Sequence, residues 1–521
     1  MATCLLAIDA GTGSGRAVLF DDTGRQLAVA QEEWTHIAEA DAPGSMSFDC
    51  EANWALIGRC IRRVLAEAGL TADAVKAVSS TSMREGIVLY DEAGREVWAC
   101  ANVDGRAGAQ VKALKAQGED VERGYYRESG QTFALGALPR LLWVKERRPA
   151  IFEKVRRLSM INDWVAARLS GEIAVEPSNG GTSGLLSLSE RVWSDDLIAR
   201  SGIDRTWFPP VVEPGTVIGP VTAAAAESTG LRPGTPVVAG GGDAQLGTVG
   251  LGVVRPGGTA ILGGTFWQQV INVPIGQVDE TMRVRINPHA VAGLNQAECI
   301  SFFVGLTMRW FRDVFCETEK RQAEADGIDA YELMERQAAR VPPGSHGVLP
   351  VFSDAMDFGR WYHAAPSFLN LSIDPTRCSK ATLFRALEEN AAIVSAINLE
   401  RVAAFSGVAS DGPIVFAGGA SKGRLWAQIL ADVTGRPLQI PVVREATALG
   451  CAAAAAVGAG LFASLEEAGS AFARFERTVE PDPSNAEVYA DLRSRWSEAY
   501  AVQKDLVDRG ITTSLWKAPG L

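Results

Sequence analysis

At 521 residues the chain exceeds what one ordinary hydrophobic core organises, so two large domains are expected. Its 47% hydrophobic and 21% charged content is that of a globular protein. A formal charge of −12 speaks against nucleic acid or an anionic membrane as partner, while leaving room for a local basic pocket.

The eight cysteines are scattered, with no CxxC pair and no metal-ligand spacing, the pattern of unpaired thiols in a reducing cytoplasm. The apolar run at 4–8 lacks a basic leader and is stopped by Asp9, so it does not read as a targeting segment. The Ala-rich stretch 449–462 is shorter than a membrane span and reads as a buried helix. A cytoplasmic location is therefore expected.

In chain order, ATCLLAIDAG, RAVLFDD and QLAVAQEEW are apolar runs separated by turn signals, D-D-T-G at 21–24 being the clearest, and predict a β-meander. AVKAVSSTSM and GIVLYDEAGREVWA repeat the theme around a D-E-A-G turn at 91–94. NWALIGRCIRRVLAEAG at 53–69 carries its apolar residues on one helical face, and PRLLWVKERRPAIFEKV predicts a later helical segment. Near residue 237 the pattern restarts: VVAGGGDAQLGTVGLG and TAILGGTFWQQVINV read as strands broken by Gly-rich turns. A long helix over 382–405 and a strand–loop–helix in PIVFAGGASKGRLWAQILADVTG follow. The chain thus begins a Gly-punctuated sheet twice. This predicts two related α/β domains, 1–247 and 258–463, hinged at V-R-P-G-G (254–258), with a helical extension over 464–521 that carries no recognisable chemistry.

Three small-residue loops stand out: Gly11–Gly15, Gly263–Thr265 and Gly418–Gly423. The third has the GxxxxG spacing of a phosphate loop but continues with Arg424, and in the first Arg16 takes the place of the last glycine of GxGxxG. The common nucleotide folds are thereby disfavoured. Two facing hairpin turns that clamp a polyphosphate are the alternative, with backbone N–H groups forming anion nests and Thr12, Ser14 and Thr265 adding hydroxyls. The third loop runs toward a helix whose N-terminus suits a phosphate or ribose. Any one of these loops taken alone reads more readily as a tight turn.

A carboxylate beside phosphate-binding N–H groups makes sense if it holds Mg2+, the role expected of Asp9, with a turn cap as the alternative. Asp243 follows three glycines at a strand end; phosphoryl transfer to an alcohol needs a proton acceptor, and an aspartate serves. Capping the following helix is a compatible second duty. Four histidines, with no HExxH and no GxSxG, argue against metal and serine hydrolysis.

In this order DAGTGSGR, GGGD, GGTFWQ and FAGGASKG resemble the motifs of the FGGY carbohydrate kinases, a branch of the actin/hexokinase/Hsp70 fold, and the resemblance covers nearly the whole chain. It implies two actin-like (ribonuclease H-like) α/β domains with the active site in the cleft between them, and ATP with Mg2+. By that likeness Gly11, Thr12, Gly13 and Arg16 meet the nucleotide phosphates and Asp9 the metal. Asp243 is the base, and Gly264 and Thr265 hold the transferring phosphate. Gly419, Ser421 and Lys422 border the adenosine, and Gly305 and Arg309, in GLTMR, approach the adenine. Arg84-Glu85 resembles a pair that grips a polyol, and Asp104, in NVDGR, resembles a Trp-x-Asp segment in which Asn102 replaces the aromatic. For both, a structural ion pair is the competing explanation.

SMREGIVLY, WACANVDGRA, SFFVGLTMRWFRD, WYHAAPSFLNLSIDP and TTSLWKAPGL are similar to one branch of the family. That similarity implies a linear small-molecule substrate, the quorum-sensing precursor 4,5-dihydroxy-2,3-pentanedione, phosphorylated on its terminal 5-hydroxyl. It also implies coupling to the phosphocarrier protein HPr; a homodimer stays open. Two other readings stand beside it: a pentulose or glycerol kinase of the same family and, from another class, an actin/Hsp70-like ATP-driven binding protein.

Overall fold

The computed structural model describes residues 3–521. β1 (Cys4–Ala10), β2 (Ser14–Asp21) and β3 (Gln26–Glu33) form the expected antiparallel meander. The β2–β3 turn closes because the Asp21 carboxylate accepts from the N–H groups of Thr23 and Arg25. The helix Cys50–Glu67, capped by Asp49, buries Trp54, Ile57, Ile61 and Val64 at helical spacing. It returns the chain to β4 (Val75–Ser82), parallel to β1. β5 (Ile87–Tyr90), β6 (Glu96–Cys100) and β7 (Arg157–Met160) make a separate small sheet. β8 (Val217–Pro220) and β9 (Pro236–Gly242) complete the first large sheet, in the order β3-β2-β1-β4-β9-β8.

The second half repeats this plan. β10 (Thr259–Gly263), β11 (Trp267–Pro274), β12 (Arg285–Pro288) and β13 (Leu294–Ser301) are antiparallel neighbours. After a small pair, β14 (Leu349–Val351) with β15 (Ser367–Leu369), the helix Lys380–Ser406 leads to β16 (Ile414–Ala417), parallel to β10. β17 (Leu438–Pro441) and β18 (Phe475–Val479) follow, giving the order β12-β13-β11-β10-β16-β17-β18. Apart from the extra edge strand β12, each sheet is a meander, then two parallel strands, then an antiparallel edge.

The two halves lock through matching helices. Asp243–Gly250 follows β9, and Ala446–Gly458 follows β17. Where they cross, a Cβ at Gly250 would lie 2.0 Å from the Ala446 carbonyl oxygen, and one at Gly450 would lie 1.8 Å from that of Leu246. Bare backbone is thus what permits the contact. The Ala-rich helix, fully buried over Ala452–Ala456, packs on Leu5, Ala7 and Val238 of the first sheet.

Two expectations change. The stretch after VVAGGG is a helix, because its apolar residues pack against the crossing helix, and a strand would expose half of them. The tail is not purely helical: Phe475–Val479 pairs with β17, and the helix Ala486–Asp508 sends the fully buried Trp496 into the second core. All eight cysteines are free, six of them buried. Among the described residues no helix is long and apolar enough to cross a membrane.

Candidate active site

The β1–β2 turn presents open backbone: a Cβ at Gly13 would meet nothing within 4 Å. Trp34 Nε1 donates to the Gly11 carbonyl (3.1 Å) and His36 Nε2 lies 2.7 Å from that of Thr12, fixing the turn from behind. The exposed Thr12 hydroxyl donates to Asn102 Oδ1 (3.2 Å), the residue standing where an aromatic was expected. Asp9 and Arg16 are register partners at the ends of β1 and β2. Arg16 Nη1 lies 3.7 Å from Asp9 and 2.7 Å from Glu445, at the start of the Ala-rich helix, so one guanidinium joins both halves. Burial pushes the Asp9 carboxyl up to about 7; Arg16 opposes this, and the charges of Asp243 and Glu445 add to it. A near-buried carboxylate among other carboxylates is a place that gains by taking a cation. Among the described residues no cluster of three or more metal-ligating side chains could hold one alone. One carboxylate plus nucleotide phosphates is a donor set that suits Mg2+, so Asp9 fits the expected ion.

Asp243 is the first residue of its helix, with Gly242 in the cap position. Its Oδ1 accepts from the N–H of Ala244 (2.7 Å), so it does not cap the helix in the usual way. Ser178 Oγ accepts from the Gly242 N–H (3.0 Å) and pins the strand end. The Asp243 side chain keeps 41% of its surface open to the cleft, and Arg84 Nε lies 3.4 Å from its Oδ1. Withdrawal from bulk water lifts its carboxyl to about 6; Arg84 opposes this, while Glu85 and Glu298 add to it. Such a group is ionised at neutral pH yet still a useful base.

Arg84 and Glu85 do not form the local ion pair considered above. Arg84 gives both terminal nitrogens to Glu298 on β13 (2.5 and 2.8 Å), and Glu85 pairs with Arg285 on β12 (2.5 Å). Both contacts cross from one half to the other. Glu85 sits in the left-handed region (φ 64°), held by Thr182 Oγ1 on its N–H and by Arg140 on its carbonyl. Asp104 stands apart. Its fully buried carboxylate accepts from Arg106 and from the Met46 N–H, while Arg106 also bonds Glu39 and lies over the Trp98 and Trp143 rings. No oxygen remains for a ligand, so the geometry favours the structural role that the sequence left open.

Across the cleft lies a cavity of about 880 Å³, lined by Gly264, Thr265, Gly305, Arg309, Gly419 and Lys422 among others. Glycine lets its walls meet. A Cβ at Gly305 would lie 2.4 Å from the Gly264 oxygen, and Gly418 (φ 95°) packs against the Gly263 carbonyl. Ser421 is turned inward, its hydroxyl donating to the Gly418 carbonyl (2.8 Å). The helix after this loop is not a free anion site, because Glu335 already accepts from the Arg424 N–H (3.0 Å). A second cavity, of about 560 Å³, lies between Thr434 and the helix Ala486–Asp508, away from all these residues.

The structure therefore gathers Asp9, Arg16, Arg84, Glu85 and Asp243 where the two halves meet, and Gly264, Thr265, Gly305, Arg309, Gly419 and Lys422 around one cavity. Glu445, Arg285, Glu298 and Glu335 were not legible in the sequence, because the partner of each is distant in the chain.

Family models of the FGGY carbohydrate kinases match twice, the N-terminal domain over residues 4–250 and the C-terminal domain over 289–459. The chain is 59% identical over 518 residues to an autoinducer-2 kinase of Salmonella paratyphi A, covering 99% of this chain and 98% of that one. It is 58% identical, with the same coverage, to the autoinducer-2 kinase of Escherichia coli K12. Among solved structures, xylulose kinase from Rhodospirillum rubrum superposes with a TM-score of 0.85 at 25% identity, covering 96% of this chain and 99% of that one. Plasmodium falciparum glycerol kinase with ADP reaches 0.81 at 16% identity, with 96% and 98% covered, a likeness of fold. Duplicated sheets, each opened by a hairpin with a glycine-rich turn, and both family models lead to one conclusion: the chain belongs to the FGGY family of carbohydrate kinases.

Proposed function

We propose that this chain is a cytoplasmic, ATP-dependent kinase of autoinducer-2, transferring the γ-phosphoryl group to the terminal 5-hydroxyl of linear 4,5-dihydroxy-2,3-pentanedione. The observation that carries the substrate is 59% identity over 518 residues to an autoinducer-2 kinase. The chemistry is supported by Asp243, whose carboxyl is raised to about 6 and whose charge is felt at Asp9 on the end of β1.

The adenosine occupies the cavity bordered by Gly419, Lys422, Gly305 and Arg309. Thr12, Gly13, Gly264 and Thr265 offer N–H and hydroxyl donors to the phosphates. Asp9 would hold Mg2+ together with those phosphates, and the ion would supply charge neutralisation. Asp243 takes the proton of the attacking hydroxyl at its free Oδ2. Arg84 and Glu85 border the acceptor, and the paired charges around them exclude water from the transferring group. Asp104 braces the wall behind.

The test is product analysis by mass after incubation with MgATP and, separately, the pentanedione, D-xylulose and glycerol. A singly phosphorylated pentanedione at the highest rate is expected. Faster phosphorylation of xylulose or glycerol would replace the substrate and keep the mechanism.

A further inference from the structure

Four charged side chains meet where the two halves close. Arg84 and Glu85 are neighbours in sequence; Arg285 and Glu298 are directly opposed partners on β12 and β13. They pair crosswise, Arg84 with Glu298 and Glu85 with Arg285, into a square of alternating sign with no net charge. Glu298 is fully buried, and Arg285, Arg84 and Glu85 are 2%, 5% and 9% exposed. Gln131 fixes the far corner, accepting from Arg285 Nε (2.9 Å) and donating to the Ile286 carbonyl (2.9 Å).

The consequence falls on Asp243. An arginine free beside a carboxylate closes to about 2.7–2.9 Å and spends the carboxylate's lone pairs. Here Glu298 takes both terminal nitrogens of Arg84 in a fork, leaving its Nε 3.4 Å from Asp243. The guanidinium is near enough to orient the aspartate and too far to occupy it.

We propose that Glu298 is a positioning residue for phosphoryl transfer: by holding the Arg84 fork it keeps that guanidinium from closing on Asp243, so the base stays free to accept the hydroxyl proton. This rests on the reading of Asp243 as the base. Glu298 touches neither nucleotide nor acceptor and acts through Arg84.

The experiment is a double-mutant cycle in the full-length protein with MgATP and the pentanedione. It uses Glu298→Gln, Asp243→Asn and the pair together, with ADP affinity measured by calorimetry. Glu298→Gln is expected to lower kcat by about 100-fold, the size of effect that misplaced reacting groups produce. ADP affinity should stay as in the unmodified protein, because the adenosine cavity does not include the square. In the Asp243→Asn background the same substitution should change residual turnover by less than about twofold, since the group it serves is gone. A merely structural glutamate would cost the same factor in both backgrounds, and that result overturns the proposal, as does a kcat within about threefold of the unmodified protein. If Asp243→Asn alone turns over normally, the base assignment itself has failed, a separate outcome. Should Glu298→Gln not fold, Glu298→Asp, which keeps the charge on a shorter arm, is read in the same cycle and by the same criteria.

Discussion

The two walls of the cleft are built on opposite principles. On the nucleotide side a cavity of about 880 Å³ stands open, with Arg309 and Lys422 exposed along it. On the acceptor side Arg84, Glu85, Arg285 and Glu298 are buried and paired across the halves. The first is a preformed concave site of the kind that binds a ligand with little rearrangement. The second exists because both halves contribute to it, so admitting an acceptor requires them to part and transfer requires them to close. On the function proposed above, the difference lets the protein bind nucleotide readily yet keep water from the γ-phosphate.

The sharpest break in this contrast is Asp243→Asn, expected to cost 10²- to 10⁴-fold in kcat, roughly the contribution of a positioned base, while ADP affinity by calorimetry is unchanged. Next is Asp104→Ala. It leaves Arg106 buried without its main partner and should lower stability by about 3–5 kcal/mol in denaturant titration. The acceptor KM of the folded protein should not move, whereas a large rise would return Asp104 to the substrate. The pH profile follows. With its carboxyl raised to about 6, Asp243 is protonated and idle below that value and ionised above it. With saturating Mg2+ to keep Asp9 ionised, kcat/KM should rise about tenfold per pH unit up to about pH 6 and level off beyond; a limb near pH 4 would mean that Arg84 dominates the aspartate. The smallest effect is on the nucleotide wall. Gly418→Ala must hold φ 95° with its Cβ 2.5 Å from the Gly263 oxygen, and should weaken ADP binding by about tenfold through 1–3 kcal/mol of strain. Acceptor KM should be untouched.

What the sequence made legible was local. Asp9 with DAGTGSGR, GGGD with Asp243, and the Gly418 loop are short runs whose chemistry follows from residues side by side, as does the long helix Lys380–Ser406. What it concealed was pairing at a distance. Arg285 in RINP and Glu298 in QAECIS are the one charge of their strands; their burial is the fact that demands partners, and burial was not visible. Asp104 was left open for the same reason, although Arg106 two residues on pointed to the answer. The edge strand Phe475–Val479 escaped because its short alternation sits in a tail that otherwise reads as helix. Glu335 was invisible because it caps a helix that starts nearly ninety residues later.

Coupling of ATP turnover to the acceptor is the property that a closed acceptor wall confers. ADP release from MgATP should be followed with no acceptor and with the pentanedione, and compared with phosphorylated product by mass. The closed, ion-paired acceptor wall predicts slow ADP release alone, strong stimulation by the acceptor, and one phosphorylated molecule for each ADP. Equal ADP release with and without acceptor, and no phosphorylated product, would contradict it and leave an ATP-driven binding protein instead.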